Sequence, residues 1–217
     1  MKVERRSLVA LGAAAGLAGI AGTAVAQAQN ADATYRAELA PLNSRVTGSD
    51  AAGEAVLTIS GDQLTIHIEV TGVPPGIAHL QHFHGFPDAD QASRCPTLED
   101  DANGDGVIDI VETEPAAGTT MVPFHSDPVN MAVVDATYPV ADADGAYTYD
   151  VTVSLSALED AFEAQFPGQH LDLDRRVIFV HTVPDSTELA ATVASLGDIP
   201  AQVTLPIACG ALERVAD

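Results

Sequence analysis

Gly53-Glu54-Ala55-Val56-Leu57-Thr58-Ile59-Ser60-Gly61-Asp62-Gln63-Leu64-Thr65-Ile66-His67-Ile68-Glu69-Val70-Thr71 is the stretch whose reading sets the fold class. Leu64, Ile66, Ile68 and Val70 alternate with Thr65, His67 and Glu69. A period of two puts every second side chain on one face of a strand, so one face is built for a core and the other for water. The run over 53–59 is β-branched and apolar, and Ser60-Gly61-Asp62 is a tight-turn sequence, so the two runs predict a hairpin.

Working outward, further strand patterns lie over 34–40, 79–84, 146–155, 176–181 and 202–208, each bounded by Gly, Pro or Asp. Pro74-Pro75-Gly76 and Asp142-Ala143-Asp144-Gly145 are the clearest breaks. Short strands with long connections late in the chain predict an all-β fold, a Greek-key sandwich or flattened barrel with long loops. One helix is expected over 156–166, where Leu158, Phe162 and Phe166 share a stripe, and a helical turn over 186–196. No repeat or linker divides the chain, so residues 29–217 read as one domain.

Residues 1–28 read as an export signal. Lys2, Arg5 and Arg6 precede an Ala/Gly/Leu stretch from Leu8 to Val25, and Ala24-Val25-Ala26 or Ala26-Gln27-Ala28 offers small residues to a signal peptidase. Arg5-Arg6-Ser7-Leu8-Val9 suits a twin-arginine signal, with an ordinary Sec signal as the alternative. No later apolar run is long enough to span a bilayer. The expected location is periplasmic or extracellular.

Charge narrows the partners. The chain carries a formal charge of −22, and losing Lys2, Glu4, Arg5 and Arg6 with the signal takes it to about −24. Lys2 is the only lysine. Phosphate backbones and anionic membranes would be repelled, which excludes nucleic acid as a partner. An apolar fraction of 47% argues against disorder. A salt-adapted globular protein or a cation binder remains. In an exported chain the cysteine pair, Cys95 and Cys209, predicts a disulfide.

Asp101-Ala102-Asn103-Gly104-Asp105-Gly106-Val107-Ile108-Asp109-Ile110-Val111-Glu112 carries oxygen ligands where an EF-hand loop needs them. Asp101, Asn103, Asp105, Asp109 and Glu112 supply side chains, Val107 its carbonyl, and Gly106 the turn. Pro96 before the loop and Pro115 after it do not suit a helix pair. A structural calcium clamp is expected rather than an opening sensor.

His82-Phe83-His84 places two imidazoles on one face of a strand, where they can chelate one ion. His79 stands just before, His181 ends the run over 176–181, and His125 lies within Pro123-Phe124-His125-Ser126-Asp127-Pro128. Imidazoles converging from two strands and a loop would suit copper or zinc.

In order along the chain these pieces resemble the copper–zinc superoxide dismutase family. The stretch Val70-Thr71-Gly72-Val73-Pro74-Pro75-Gly76-Ile77-Ala78-His79-Leu80-Gln81-His82-Phe83-His84 is similar to its strand with the first two copper histidines. Ala208-Cys209-Gly210 looks like the disulfide partner of Cys95, and Gly168-Gln169-His170 leading to Arg176-Val177-Ile178-Phe179-Val180-His181 resembles its approach to the last copper histidine. The resemblance implies copper on His82, His84, His125 and His181, with His125 also bridging to zinc and passing protons. It implies conversion of superoxide to oxygen and hydrogen peroxide.

The departures point to copper without zinc. No further histidine lies between His125 and Asp135, where that family's zinc site needs two more. Asp135 is left as a residual zinc carboxylate, and Asp185 as a carboxylate steadying a copper histidine. Pro206 stands where the family has the arginine that guides superoxide, and the 101–112 loop is foreign to the pattern. Two alternatives follow: a non-catalytic copper binder, and a calcium-stabilised extracellular domain like the chordin-type β domains.

Overall fold

The hairpin forms as the alternation requires. Strands β2 (Ala52–Ser60) and β3 (Gln63–Thr71) pair antiparallel, with Ser60 opposite Gln63 at the turn and Ala52 opposite Thr71 at the far end. Leu64, Ile66, Ile68 and Val70 are all buried, while His67 faces out between Glu69 and Asp150. The computed structural model describes residues 32–87 and 91–215, so the expected signal segment lies outside the described residues.

Strands β1 (Ala33–Pro41) and β6 (Tyr147–Ser154) flank the hairpin, β1 on β2 and β6 on β3. The end of β1 turns away and pairs, at Ala40 and Pro41, with β8 (Pro206–Ala211). From there the sheet continues through β7 (Val177–His181) and β4 (Gln81–Gly85) to β5 (Thr119–Pro123), and a short β9 (Glu213–Arg214) edges β1. The strand order is β5-β4-β7-β8-β1-β2-β3-β6, all antiparallel, so the sheet folds over on β1 into two layers. β4 lies beside β7, and β6 returns to β3, the non-sequential neighbours of a Greek key. The all-β architecture is as expected.

The main core fills the space between the layers, with Leu57, Ile66 and Ile68 from one side meeting Phe83, Ile178 and Val180 from the other. Helix α3 (Leu155–Gln165) adds Leu158 and Phe162 beneath Phe83, started by the Ser154 hydroxyl accepting from Ala157 N–H. β4 and β7 are buried on both faces, so their second face needs cover as well. Loops supply it, and a satellite cluster of Ala117, Val177, Phe179 and Cys209 forms outside the sheet, with Leu42 and Cys95 packed on it.

Three expectations change. Residues 202–204 belong to a single helical turn, α4 (Ala201–Thr204), and the strand begins only at Pro206. The segment 186–196 makes turns rather than a helix. The calcium-loop motif does run into a helix, α2 (Ile110–Ala117), with Pro115 inside it. The Asp109 side chain accepts from Val111 N–H and Glu112 N–H, and Glu112 accepts in return from Asp109 N–H, a capping box that outweighs the hydrogen bond Pro115 cannot donate. No helix enters the motif, where residues 91–97 are extended and irregular.

Cys95 and Cys209 are joined, tying the loop after β4 to β8 across 114 residues. A crosslink closing that long a loop stabilises by about 4–5 kcal/mol through the unfolded state. Cys209→Ser is expected to lower the unfolding free energy by that amount in a denaturant titration, and a loss under about 1 kcal/mol would contradict the loop-entropy account.

Candidate metal centre

His82 and His84 leave β4 on the outer face, opposite Phe83, which enters the core. In register, His82 sits opposite Phe179 of β7 and His84 opposite Val177. His181 comes to them because β7 shifts register against β8 between Val180 and His181, a bulge that re-aims the side chain. Thr182 follows with φ of 92°, a conformation that costs a β-branched residue energy and is held by its hydroxyl donating to Val203 O at 3.2 Å.

Three ring nitrogens thereby converge: His82, His84 and His181 are all buried and bring one ligand atom each within 4.8 Å of one another. The His82 ring lies 4.8 Å from that of His84 and 4.6 Å from that of His181, centre to centre. His84 Nδ1–H donates to Gly118 O at 3.1 Å, which leaves Nε2 a lone pair facing the Thr120 hydroxyl at 3.2 Å. His181 Nδ1–H donates to Thr204 O at 2.7 Å, and among the described residues its Nε2 has no partner. His82 Nδ1 has none either.

Buried polar atoms are almost always hydrogen-bonded, so two orphaned imidazole nitrogens in one cluster of histidines call for a further partner there. Backbone carbonyls fixing the tautomer from behind are how metal-binding histidines are held. Burial pushes all three imidazoles down, His82 well below the ordinary value, His84 to about 3 and His181 to about 4. His181 adds charge repulsion at His82 and His84. They are therefore neutral lone-pair donors at neutral pH, the form a metal ion needs. Such a set of imidazoles fits copper or zinc.

His125 is not brought to the trio. Its Nε2–H donates to Ala132 O at 2.8 Å, and its Nδ1 accepts from Asp127 N–H at 3.2 Å, so both nitrogens are committed to its own loop. The sequence expects a fourth copper ligand that passes protons here, and in this structure His125 stands apart from the other three. Asp135 bonds Thr137, whose hydroxyl and amide hold its carboxyl below the usual range, and it belongs to no cluster of three metal-ligating side chains among the described residues. Asp185 is exposed, and the carbonyls of Gly118 and Thr204 do the steadying expected of it. His79 is buried beside the trio, its ring between His181 O at 3.0 Å and Pro74 O at 2.9 Å. It fixes the end of β7 rather than joining the cluster.

In the 101–112 loop, Asp101 accepts from Gly104 and Gly106 amides at 2.7 and 2.8 Å, and Glu112 from Ala102 N–H at 2.8 Å. Asp105 Oδ1 accepts from Val107 N–H and Asn103 Oδ1 from Asp105 N–H, each at 2.9 Å. Among the described residues only the three histidines bring three such ligand atoms within 4.8 Å. The loop is anchored to the segment after β7, where Thr192 Oγ1 donates to Asp105 and Ala194 N–H to Asp109.

The residues that sequence reasoning missed are Gly118, Thr120 and Thr204. No local signal marks them, because each serves the site through pairing distant in sequence.

The fold and site thus define an antiparallel Greek-key sandwich with a buried three-histidine cluster able to hold a metal ion. No family model and no curated protein matches the chain. A solved structure of a double mutant of a SOD-like protein from Bacillus subtilis is similar over 81% of this chain and 95% of that one, at 19% identity and a TM-score of 0.42.

Proposed function

We propose that the chain is an exported copper-binding protein of superoxide-dismutase-like kind, with copper on His82, His84 and His181 and dismutation of superoxide as its activity. The observation that carries the metal reading is the pair of orphaned buried nitrogens, His82 Nδ1 and His181 Nε2, beside His84 Nε2. Copper, when bound, supplies one-electron chemistry that no side chain here can. The chain's own part is to hold three neutral imidazoles in fixed tautomers and keep bulk water from them. The disulfide agrees with an oxidising compartment, and no helix among the described residues is long and apolar enough to cross a membrane. A separate zinc site beside the trio has no comparable support among the described residues.

A non-catalytic copper carrier is the second reading, and two observations favour it. His125 is bound to its own loop, and Pro206, opposite His181 in register, leaves the site without a guiding cation. Calcium at 101–112 is the third element of the proposal, a brace supported by the ligand spacing and by the ties to Thr192 and Ala194.

Metal content of the purified exported protein, with superoxide decay at low and high salt, tests these readings together. Copper with decay that quickens toward 1 M salt supports the enzyme, since the Debye length falls to about 3 Å and the repulsion of an anion by a charge near −24 on the exported chain is screened. Copper without decay supports the carrier, and calcium alone the calcium-stabilised extracellular domain.

A further inference from the structure

The open side of the trio is walled by carbon. A cavity of about 230 Å³ lies against His82 and His181, bounded by Leu80, Ile110, Val133, Val134, Leu196 and Ile199. Val203 and the Tyr138 ring complete the wall, the Tyr138 hydroxyl being spent on Val133 O at 2.9 Å. Val134 is 82% exposed and Leu196 53%, although the chain as a whole carries −22. Large apolar side chains held open to water around one cavity mark a site that something apolar covers. Apart from Asp135 and the Tyr138 hydroxyl, the polar groups of the lining gather at the histidines. Thr120 lies there with His82 and His181, and the buried Thr204 hydroxyl has no hydrogen-bond partner. Among the described residues Asp135 is the single charge on the lining, and no cation is present.

We infer that this cavity binds a neutral, ring-sized organic molecule with one polar head, a simple phenol being the type. An apolar cavity of roughly 150 Å³ already takes benzene, so this one admits a ring with a short substituent. Sites of this make, apolar walls with a few convergent polar groups, orient a ligand by its head. The head belongs at the Thr120 and Thr204 end and the ring against Val133, Leu196 and Ile199. A carboxylate would meet Asp135 with no cation to offset it. Turning the head toward a bound ion rests on the metal reading of the trio; seating of the ring does not.

The test is 4-ethylphenol titrated into the full protein, metal-free and copper-loaded, followed by calorimetry and by the methyl NMR signals of Val, Leu and Ile, with 4-ethylbenzoate as the anionic comparison. Saturable binding to both forms is expected, with shifts confined to the methyls of Ile110, Val133, Val134, Leu196, Ile199, Val203 and Leu80. The benzoate should bind at least tenfold more weakly. Val203→Phe, which fills the cavity, should weaken binding tenfold or more, and Val134→Asp, at an exposed rim position that folding does not need, several-fold. The visible absorption of the copper-loaded protein should move on adding the phenol. Unmoved methyls in both forms overturn the inference, as does equal binding of the benzoate or binding that both variants leave unchanged. Should copper fail to load while the phenol still binds, the metal reading falls and the ring site stands.

Discussion

Metal-free protein is expected to lose stability steeply as the pH falls from about 6.5 toward 4, and copper loading is expected to move that loss to lower pH. The cause is the trio. Burial holds His84 at about 3, His181 at about 4 and His82 well below its ordinary value in the folded chain. In the unfolded chain each imidazole returns to near 6.5. Folded values below unfolded ones mean that the contribution is complete above 6.5 and is lost as the pH drops, because only the unfolded chain takes up protons. Each such group costs about 1.4 kcal/mol per pH unit, so three together give a slope of up to about 4.

Against a net stability of about 5–15 kcal/mol, that slope places the acid midpoint between about pH 3 and 5. His67 works the other way. Its hydrogen bond to Asp150 raises it, so its contribution is complete below 6.5 and lost as the pH rises through the raised value. It is a single surface group facing three buried ones, and the acid-side slope wins. Asp100, lowered to about 2 chiefly by its hydrogen bonds from Arg94, loses its contribution only as the pH falls from 3.8 toward 2, below the span from 6.5 to 4 over which the histidines act first. Far-UV circular dichroism against pH, with and without copper, reads the result. A metal-free protein equally stable at pH 7 and pH 4.5 would mean that the histidines are not held neutral.

The same trio shows what the sequence could and could not tell. Strand β3 was legible to its ends, because Leu64 to Val70 alternate without a slip and a turn of Ser60, Gly61 and Asp62 pins the register. Its burial is decided by its own pattern. β5 was not legible: Thr119 to Pro123 is five residues with no alternation, and only pairing with β4 makes it a strand. The start of β8 was misplaced for another reason, since Gln202 and Thr204 alternate with Val203 and Leu205 as a strand would, while local backbone bonds from Val203 and Leu205 close a helical turn there instead. Pro115 misled for the opposite reason. It reads as a stop, yet the Asp109 and Glu112 capping box, visible in the sequence as two calcium ligands, starts the helix strongly enough to carry it.

At the site, spacing alone put His82 and His84 on one face, and the strand geometry agrees. That His125 turns into its own loop is set by the position of the Ala132 carbonyl, which no spacing rule contains. Local rules fail most visibly where two buried nitrogens lack partners, and such failures are expected at functional sites.

His84→Ala is expected to abolish stoichiometric copper binding, weakening it by a hundredfold or more, whereas His125→Ala is expected to leave copper content unchanged. Three lone pairs meet at one point, and removing one leaves two donors that cannot fill the shell of the ion. Loss of groups that merely steady a ligand costs 10–100-fold, so loss of a ligand itself lies at or beyond the top of that range. His125 offers the ion nothing, because Ala132 O and the Asp127 amide hold both of its nitrogens. Thr120→Val lies between the two. It removes a hydroxyl 3.2 Å from His84 Nε2 without removing a donor, and a loss of less than tenfold is expected. Competition for copper against a chelator of known affinity measures all three, with electron paramagnetic resonance reporting nitrogen coordination. Unchanged copper binding in His84→Ala would move the ion off the trio, and its loss in His125→Ala would restore the fourth ligand that the resemblance implied.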